Sequence, residues 1–478
     1  MVNHVKDIEA IDQTDDPYLL LPTNHMEPVQ LPASQVPRYQ SWGRYPKVKE
    51  GLVEPVFWRG EIPDLSEIDK TVLPFGYGRS YGDSCLNEGG LVLDTTFLRR
   101  FIAFDDEAGV LRCEAGVSLA EVLALIVPRG WFVPVTPGTK FVSVAGAIAN
   151  DIHGKNHHHA GTFGCHVTQF ELLRSNGERL LCSPTENADL FRATIGGLGL
   201  TGVILWAEFK LKKIANPFIA MERIRYRSLD EFFEINAQSD HDFEYTVSWM
   251  DCLIGGQHMG RGLYWRGNHA TAEQGASRRL RKKPRLRVPF DFPSQLLNTL
   301  TNRMFNEAVY RSQLTRKIQA ISSYDDFFYP LDVILDWNRA YGKQGFLQYQ
   351  CVVPKDDNYR ALKEILAQMR RTGEGSFVVV FKTFGEIKSP GMLSFPRPGA
   401  TLAVDFSYKG KKTLKFLDTL DQIVRESGGA VYPAKDARMS AESFQAFYPN
   451  WREFAKYIDP KFSSSFWRRV TIPVNGAQ

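Results

Sequence analysis

Three stretches of this 478-residue chain concentrate residue types able to do chemistry. The first, Ser143–Gly164 (SVAGAIANDIHGKNHHHAGTFG), holds five of the ten histidines once its neighbour His166 is included. Its apolar half is built from Ala145, Gly146, Ala147 and Ala149, small residues that let another backbone or a flat ligand come close. His153, His157, His158 and His159 could crowd a metal ion, but consecutive histidines cannot all face one ion. Neither a Cys pair nor an HExxH helix accompanies them, so no metal is expected. His157–His159 read as solvated loop imidazoles, whereas His153 directly follows the small-residue run, beside Asp151 and Gly154. The second stretch, PFGYGRSYGDS (Pro74–Ser84), is glycine-rich. Gly76, Gly78 and Gly82 permit conformations in which successive N–H groups point at one anion, and Arg79 and Ser80 add donors. A simple hairpin loop is the alternative. The third, GLGLTG (Gly197–Gly202), matches GxGxxG, but that fingerprint needs a strand before it and a helix after it. Here the helical pattern ENADLFRATIGG comes first and the alternating strand TGVILWAEFKLKKI follows, which argues against a dinucleotide-binding Rossmann turn.

The elements that must position these stretches form an α+β pattern. Short β-like runs, TVLPFGYG, GLVLDTT and AGVLRCEAG, precede VSLAEVLALIVPRG, a helix of amphipathic spacing closed by Gly130. HVTQFELLRSNGERLLCS continues as strands. From about Pro217 a second unit starts with MERIRYRSLDEFFEI. It alternates EYTVSWMD, GFLQYQCVVP, FVVVFKTFG and ATLAVDFSYK with the helices NYRALKEILAQMRR and KKTLKFLDTLDQIVRE, the pattern of an antiparallel sheet with helices. Residues 1–45, with five prolines and little periodicity, read as an extended arm.

Composition narrows the function classes. The length exceeds what one hydrophobic core supports, and 43% hydrophobic residues are ample for two. A formal charge of +4 over this length does not imply nucleic acid, and no aromatic interleaving accompanies the basic residues. The six cysteines lack CxxC spacing and read as reduced thiols of a cytoplasmic protein. The polar, acidic N-terminus carries no basic and apolar leader pattern, and no run of 18 apolar residues occurs.

Taken together, PFGYGRSYGDS, GLVLDT, AGVSLAEVLALIVPRGWFVPVTPGT, SVAGAIANDIHGKNHH, GTFG and GGLGLTGVIL resemble the FAD-binding domain of the vanillyl-alcohol oxidase superfamily. The resemblance extends along nearly the whole chain to its members that oxidise polyprenylphosphoryl pentoses, through FYPLD, GFLQYQ, FKTFG, LSFPRPG, VDF and YPAKD (Tyr432–Asp436). It implies a two-part FAD-binding domain, residues 46–215 and 431–478, with an antiparallel-sheet substrate domain inserted as 216–430. It implies FAD contacts at Gly76, Tyr77, Gly78, Arg79, Ser80, Tyr81, Gly82, Asp83 and Ser84. Further contacts fall at Pro137, Gly138, Thr139, Ser143, Val144, Ala145, Gly146, Asn150, Asp151, Ile152, His153, Ile204 and Tyr432. Many members tether FAD through a His in an RSH motif; Tyr81 stands there, so FAD is expected without a covalent bond.

The resemblance also places Lys435 beside the flavin. Alcohol oxidation needs a group that accepts or stabilises the charge of the hydroxyl proton, and a buried Lys with a lowered pKa suits that role. Tyr81 and His153 are the further catalytic candidates, and Lys155, Gln350 and Lys382 would orient the substrate's hydroxyl and phosphate. Where members carry a cysteine before the VDF valine, this chain has Ala403. The implied activity is oxidation of the 2-hydroxyl of a polyprenylphosphoryl pentose, with an NAD(P)H-dependent ketoreductase as pathway partner. A soluble alditol or aldonolactone oxidase and a non-catalytic FAD-binding subunit are the alternatives. SRRLRKKPRLRVPFDFP (Ser277–Pro293), with basic residues from Arg278 to Arg287, is either a solvated loop or an attachment to anionic headgroups at the membrane's inner face.

Overall fold

The computed structural model describes residues 39–49, 51–276, 278–280, 285–293, 296–355 and 359–473. Apolar–polar alternation in VILWAEFK makes Val203–Lys210 the middle strand of a five-stranded antiparallel sheet. Val110–Glu114 and Phe101–Asp105 lie on one side of it, Val167–Leu173 and Arg179–Cys182 on the other. A second, parallel sheet sets Leu91–Asp94 between Leu52–Pro55 and Val72–Phe75. The helix Leu119–Ile126 starts at a capping box made by Ser118 and Glu121 and is closed by Gly130 at φ 78°. GLGLTG is a turn between the helix Ala188–Thr194 and the strand Val203–Lys210, so its glycines open no helix.

Eight further strands form one antiparallel sheet. Its order is Lys317–Ser323, Phe218–Tyr226, Gly262–His269, Tyr245–Met250, Val379–Phe384, Gly399–Ser407, Phe346–Val353 and Ala430–Val431. Helices Leu229–Ser239, Arg360–Thr372 and Lys411–Glu426 supply Phe232, Leu362, Ile365, Met369, Leu417 and Leu420 to a core shared with Phe381, Leu402 and Val404. Each such fully buried side chain contributes about 1.5–3 kcal/mol.

After Val431 the chain returns to the parallel sheet. The N–H of Val72 donates to Lys461 O at 2.7 Å and that of Ser463 to Val72 O at 3.1 Å. Arg469 pairs with Asp83 at 2.6 Å and Asp436 at 2.9 Å, and Arg438 with Asp421 at 2.6 Å.

Residues 1–38 of the proline-rich stretch lie outside the described residues. Its end is built into the fold: Trp42 N–H donates to Ser80 O, and Gly43 N–H to Tyr81 O. Of the basic stretch, Ser277 and residues 281–284 lie outside the described residues, while Leu286–Arg287 pair with Ile334–Leu335. All six cysteines are unpaired. Among the described residues no helix is long and apolar enough to cross a membrane, and no three metal-ligating side chains converge.

Candidate active site

Both halves of the molecule face one cavity of about 350 Å³. One wall is the glycine loop. Gly78 is left-handed (φ 60°), and a Cβ there would come within 2.7 Å of Gln40 O, so glycine is required. Among the described residues the N–H groups of Gly76, Gly78, Arg79 and Ser80 have no acceptor. Ser84 lines the cavity with a buried hydroxyl that lacks a partner. A loop of free amides with an unsatisfied hydroxyl is the donor set a pyrophosphate needs. Arg79 is held over the Trp42 ring at 4.1 Å, and its Nε donates to Phe141 O.

The opposite wall is the small-residue run, which folds as the helix Val144–Ala149 with Ser143 as its cap. Ser143, Ala145, Gly146, Ala149 and Asn150 reach the cavity, as do Pro137, Gly138, Thr139, Ile152 and Ile204. At Gly138 no atom lies within 4 Å of where a side chain would start. Tyr432 closes this end, its hydroxyl donating to Asn150 O at 2.7 Å and its ring stacked on Phe395. Wall, donors and open space therefore fit a flavin dinucleotide.

Gly82, Asp83, Val144, Asp151 and Lys155 do not line the cavity. Gly82 is a point of contact between distant segments: a Cβ there would sit 1.7 Å from Asp436 O. Asp83 is engaged by Arg469. Asp151 is fully buried, bound by the hydroxyls of Ser389 and Ser394 and by Gly164 N–H. Burial raises its pKa and those hydrogen bonds oppose the rise.

Lys435 follows the turn at Tyr432, where its N–H donates to Tyr432 O, and its Nζ lies 3.8 Å from the centre of the Tyr81 ring. Desolvation pushes Lys435 down to about 7, with Asp405 opposing. Asp405 itself is pushed up to about 7 by burial, although it accepts from Gln348 Nε2 at 2.6 Å and from the Tyr341 hydroxyl. Burial, followed by the Asp405 charge, raises the Tyr81 phenol well above its ordinary value, so Tyr81 is a donor rather than a base. Gln350 Nε2 donates to His153 Nε2 at 2.9 Å, which leaves the imidazole proton on a buried, unpartnered Nδ1. Desolvation, then Lys382, drives the His153 pKa well below its usual value, so the ring is neutral.

Lys382 lines the cavity and donates to Gly154 O; Lys155 donates to Phe327 O outside it. Burial brings each down to about 7, and for Lys382 the Lys155 charge adds to the fall.

His157 differs from the expected solvated loop. It starts a short helix, is 1% exposed, packs on Phe384 and accepts from Gly385 N–H. Of that trio only His159 is exposed. Sequence reasoning also missed Trp42, Leu198, Gly199, Gly202, Asp332 and Gln348 on the cavity walls, and Asp405 behind them. A carboxylate inside the otherwise apolar strand ATLAVDF was the available signal for Asp405.

The family described as FAD binding domain matches residues 64–183. Decaprenylphosphoryl-beta-D-ribose oxidase of Mycolicibacterium smegmatis is 38% identical over 453 residues, covering 91% of this chain and 97% of that protein. An uncharacterized protein in the mprA 5' region of Streptomyces coelicolor is 31% identical, with 74% of this chain and all of that protein covered. A putative D-arabinono-1,4-lactone oxidase of Neurospora crassa is 30% identical but covers only 36% of this chain and 31% of its own. The protein is thus an FAD-dependent oxidoreductase acting on a hydroxyl group. More narrowly, the chain belongs to the decaprenylphosphoryl-beta-D-ribose oxidase family.

Proposed function

We propose that this enzyme oxidises the 2-hydroxyl of a polyprenylphosphoryl pentose to a keto sugar, with Lys435 as the base. The observation that carries the reading is the placement of Lys435 Nζ over Tyr81, where the glycine-loop wall meets the wall bearing Gln350, His153 and Lys382. Bound FAD supplies the hydride acceptor. Lys435, neutral above about pH 7, takes the hydroxyl proton, and Asp405 behind it favours the resulting ammonium. The Gln350–His153 pair orients the sugar. Lys382, with Lys155 behind it, meets the phosphate, whose charge returns both to the ammonium form. The eight-stranded sheet acts as the substrate cap over the flavin.

Membrane attachment through the arginines between Arg278 and Arg287 suits a lipid-linked substrate. A keto sugar leaving this enzyme needs a reductase to complete epimerisation, so an NAD(P)H-dependent ketoreductase is the proposed pathway partner. The test is anaerobic mixing of the yellow protein with polyprenylphosphoryl sugars and with free polyols. Bleaching by the lipid-linked pentose supports the reading; bleaching by free alditols alone replaces it with the soluble-oxidase alternative.

A further inference from the structure

Fourteen large apolar side chains among the described residues are exposed, and eight of them fall between residues 280 and 314. The helix Thr299–Arg311 carries three of these, because two of its polar residues, Asn302 and Asn306, face inward. Asn302 and Asn306 are buried, donating to Gly375 O at 2.9 Å and to Ser376 O at 3.2 Å, and Asn306 also to Asp251. These bonds fix the helix's rotation and turn Leu300 (67% exposed) and Met304 (66%) to the outside. In the preceding segment Leu286 (67%) and Phe290 (58%) are exposed as well.

This surface adjoins the cavity. Leu286 pairs with Ile334, which lines it, and Phe305 of the helix packs at 5.0 Å on Phe377, next to the cavity residue Val378. The charge around it is one-sided: between residues 278 and 316 the described residues include seven arginines and two carboxylates, Asp291 and Glu307. Both carboxylates are already in ion pairs, Asp291 with Arg44 and Glu307 with Arg261 and with the largely exposed Arg311. Exposed apolar side chains interspersed with arginine along one segment match the boundary between headgroups and acyl chains of an anionic bilayer.

We infer that Leu286, Phe290, Leu300 and Met304 dock on an anionic lipid surface, with arginines including Arg303 and Arg311 meeting the headgroups and the cavity opening beside them. The inference rests on the lipid-linked substrate proposed above. Its chemical content is distinct: insertion of apolar side chains, rather than charge attraction alone.

The experiment floats the holoenzyme on vesicles of phosphatidylglycerol with phosphatidylcholine, and of phosphatidylcholine alone. The wild type should float with the anionic vesicles. Leu300→Ser with Met304→Ser should weaken binding about tenfold or more. Arg303→Ser with Arg311→Ser should weaken it at low salt, with a difference that fades at high salt. Absence of flotation, or unchanged flotation of the Leu300/Met304 variant, overturns the inference. So does a wild-type dimer that this variant dissolves while neither protein floats, which would make a second copy the occupant. Flavin bleaching by the detergent-dispersed lipid-linked pentose separates the two readings. Bleaching without flotation sinks the surface alone, and flotation without bleaching sinks the proposed substrate alone.

Discussion

Lys435→Ala should retain the fold and the flavin while losing flavin reduction. General base catalysis is worth about 10² to 10⁴ in rate, roughly 3–5 kcal/mol of barrier. On the structural side the substitution removes a cation–π contact at 3.8 Å, worth about 0.5–2 kcal/mol, and relieves the desolvation that depresses the amine. Stability should therefore change far less than rate. The pH profile gives a second signature. A base must be unprotonated, and Lys435 titrates at about 7, so the wild-type reduction rate should fall as pH drops below that value and level off above it. In the alanine variant that acidic limb should vanish. The assay is anaerobic stopped-flow bleaching with the best substrate across pH, with melting temperature and bound-flavin spectrum as controls. A variant within a few-fold of wild type, or one keeping the same acidic limb, refutes Lys435 as the base.

Asp405→Asn removes the charge that holds Lys435 up, so the acidic limb should shift to lower pH; an unmoved limb would show that Asp405 does not act on Lys435. Because Tyr81 occupies the tethering position, acid precipitation should release the flavin into the supernatant, and a yellow pellet would contradict non-covalent binding. Arg438→Met leaves the buried Asp421 without its counter-charge, while Asp436 keeps Arg469, and should destabilise the fold by about 3–5 kcal/mol, read by calorimetry. A loss below about 1 kcal/mol would mean that Asp421 does not depend on Arg438 for its place in the core.

Strands with clean alternation, such as Val203–Lys210, were legible because burial on one face imposes the period of two. Three members of the large sheet were not. Gly262–His269 is broken by glycines at 262 and 267, Lys317–Ser323 is a largely polar edge strand, and Ala430–Val431 is too short to show a period. In the site, the glycine loop and the small-residue helix announced themselves because close approach restricts residue type. The pairing of Gln348 with Asp405 did not, since it arises from cross-strand register between segments 57 residues apart. His157 was misjudged for a similar reason: the N–H that it accepts belongs to Gly385, on a segment 228 residues away.

The closure at Gly82 sets an order of assembly. The glycine loop emerges early in synthesis, yet it is braced by Ala434 O on the Tyr81 N–H, by Asp436 against Gly82 and by Arg469 on Asp83. Contacts of such sequence separation form late, after the long loop between them has been drawn in. Until then the amides of the loop have neither their final geometry nor the wall that Tyr432 provides. A nascent chain of this enzyme therefore lacks a complete cofactor cavity until the helix Ser465–Val470 has left the ribosome.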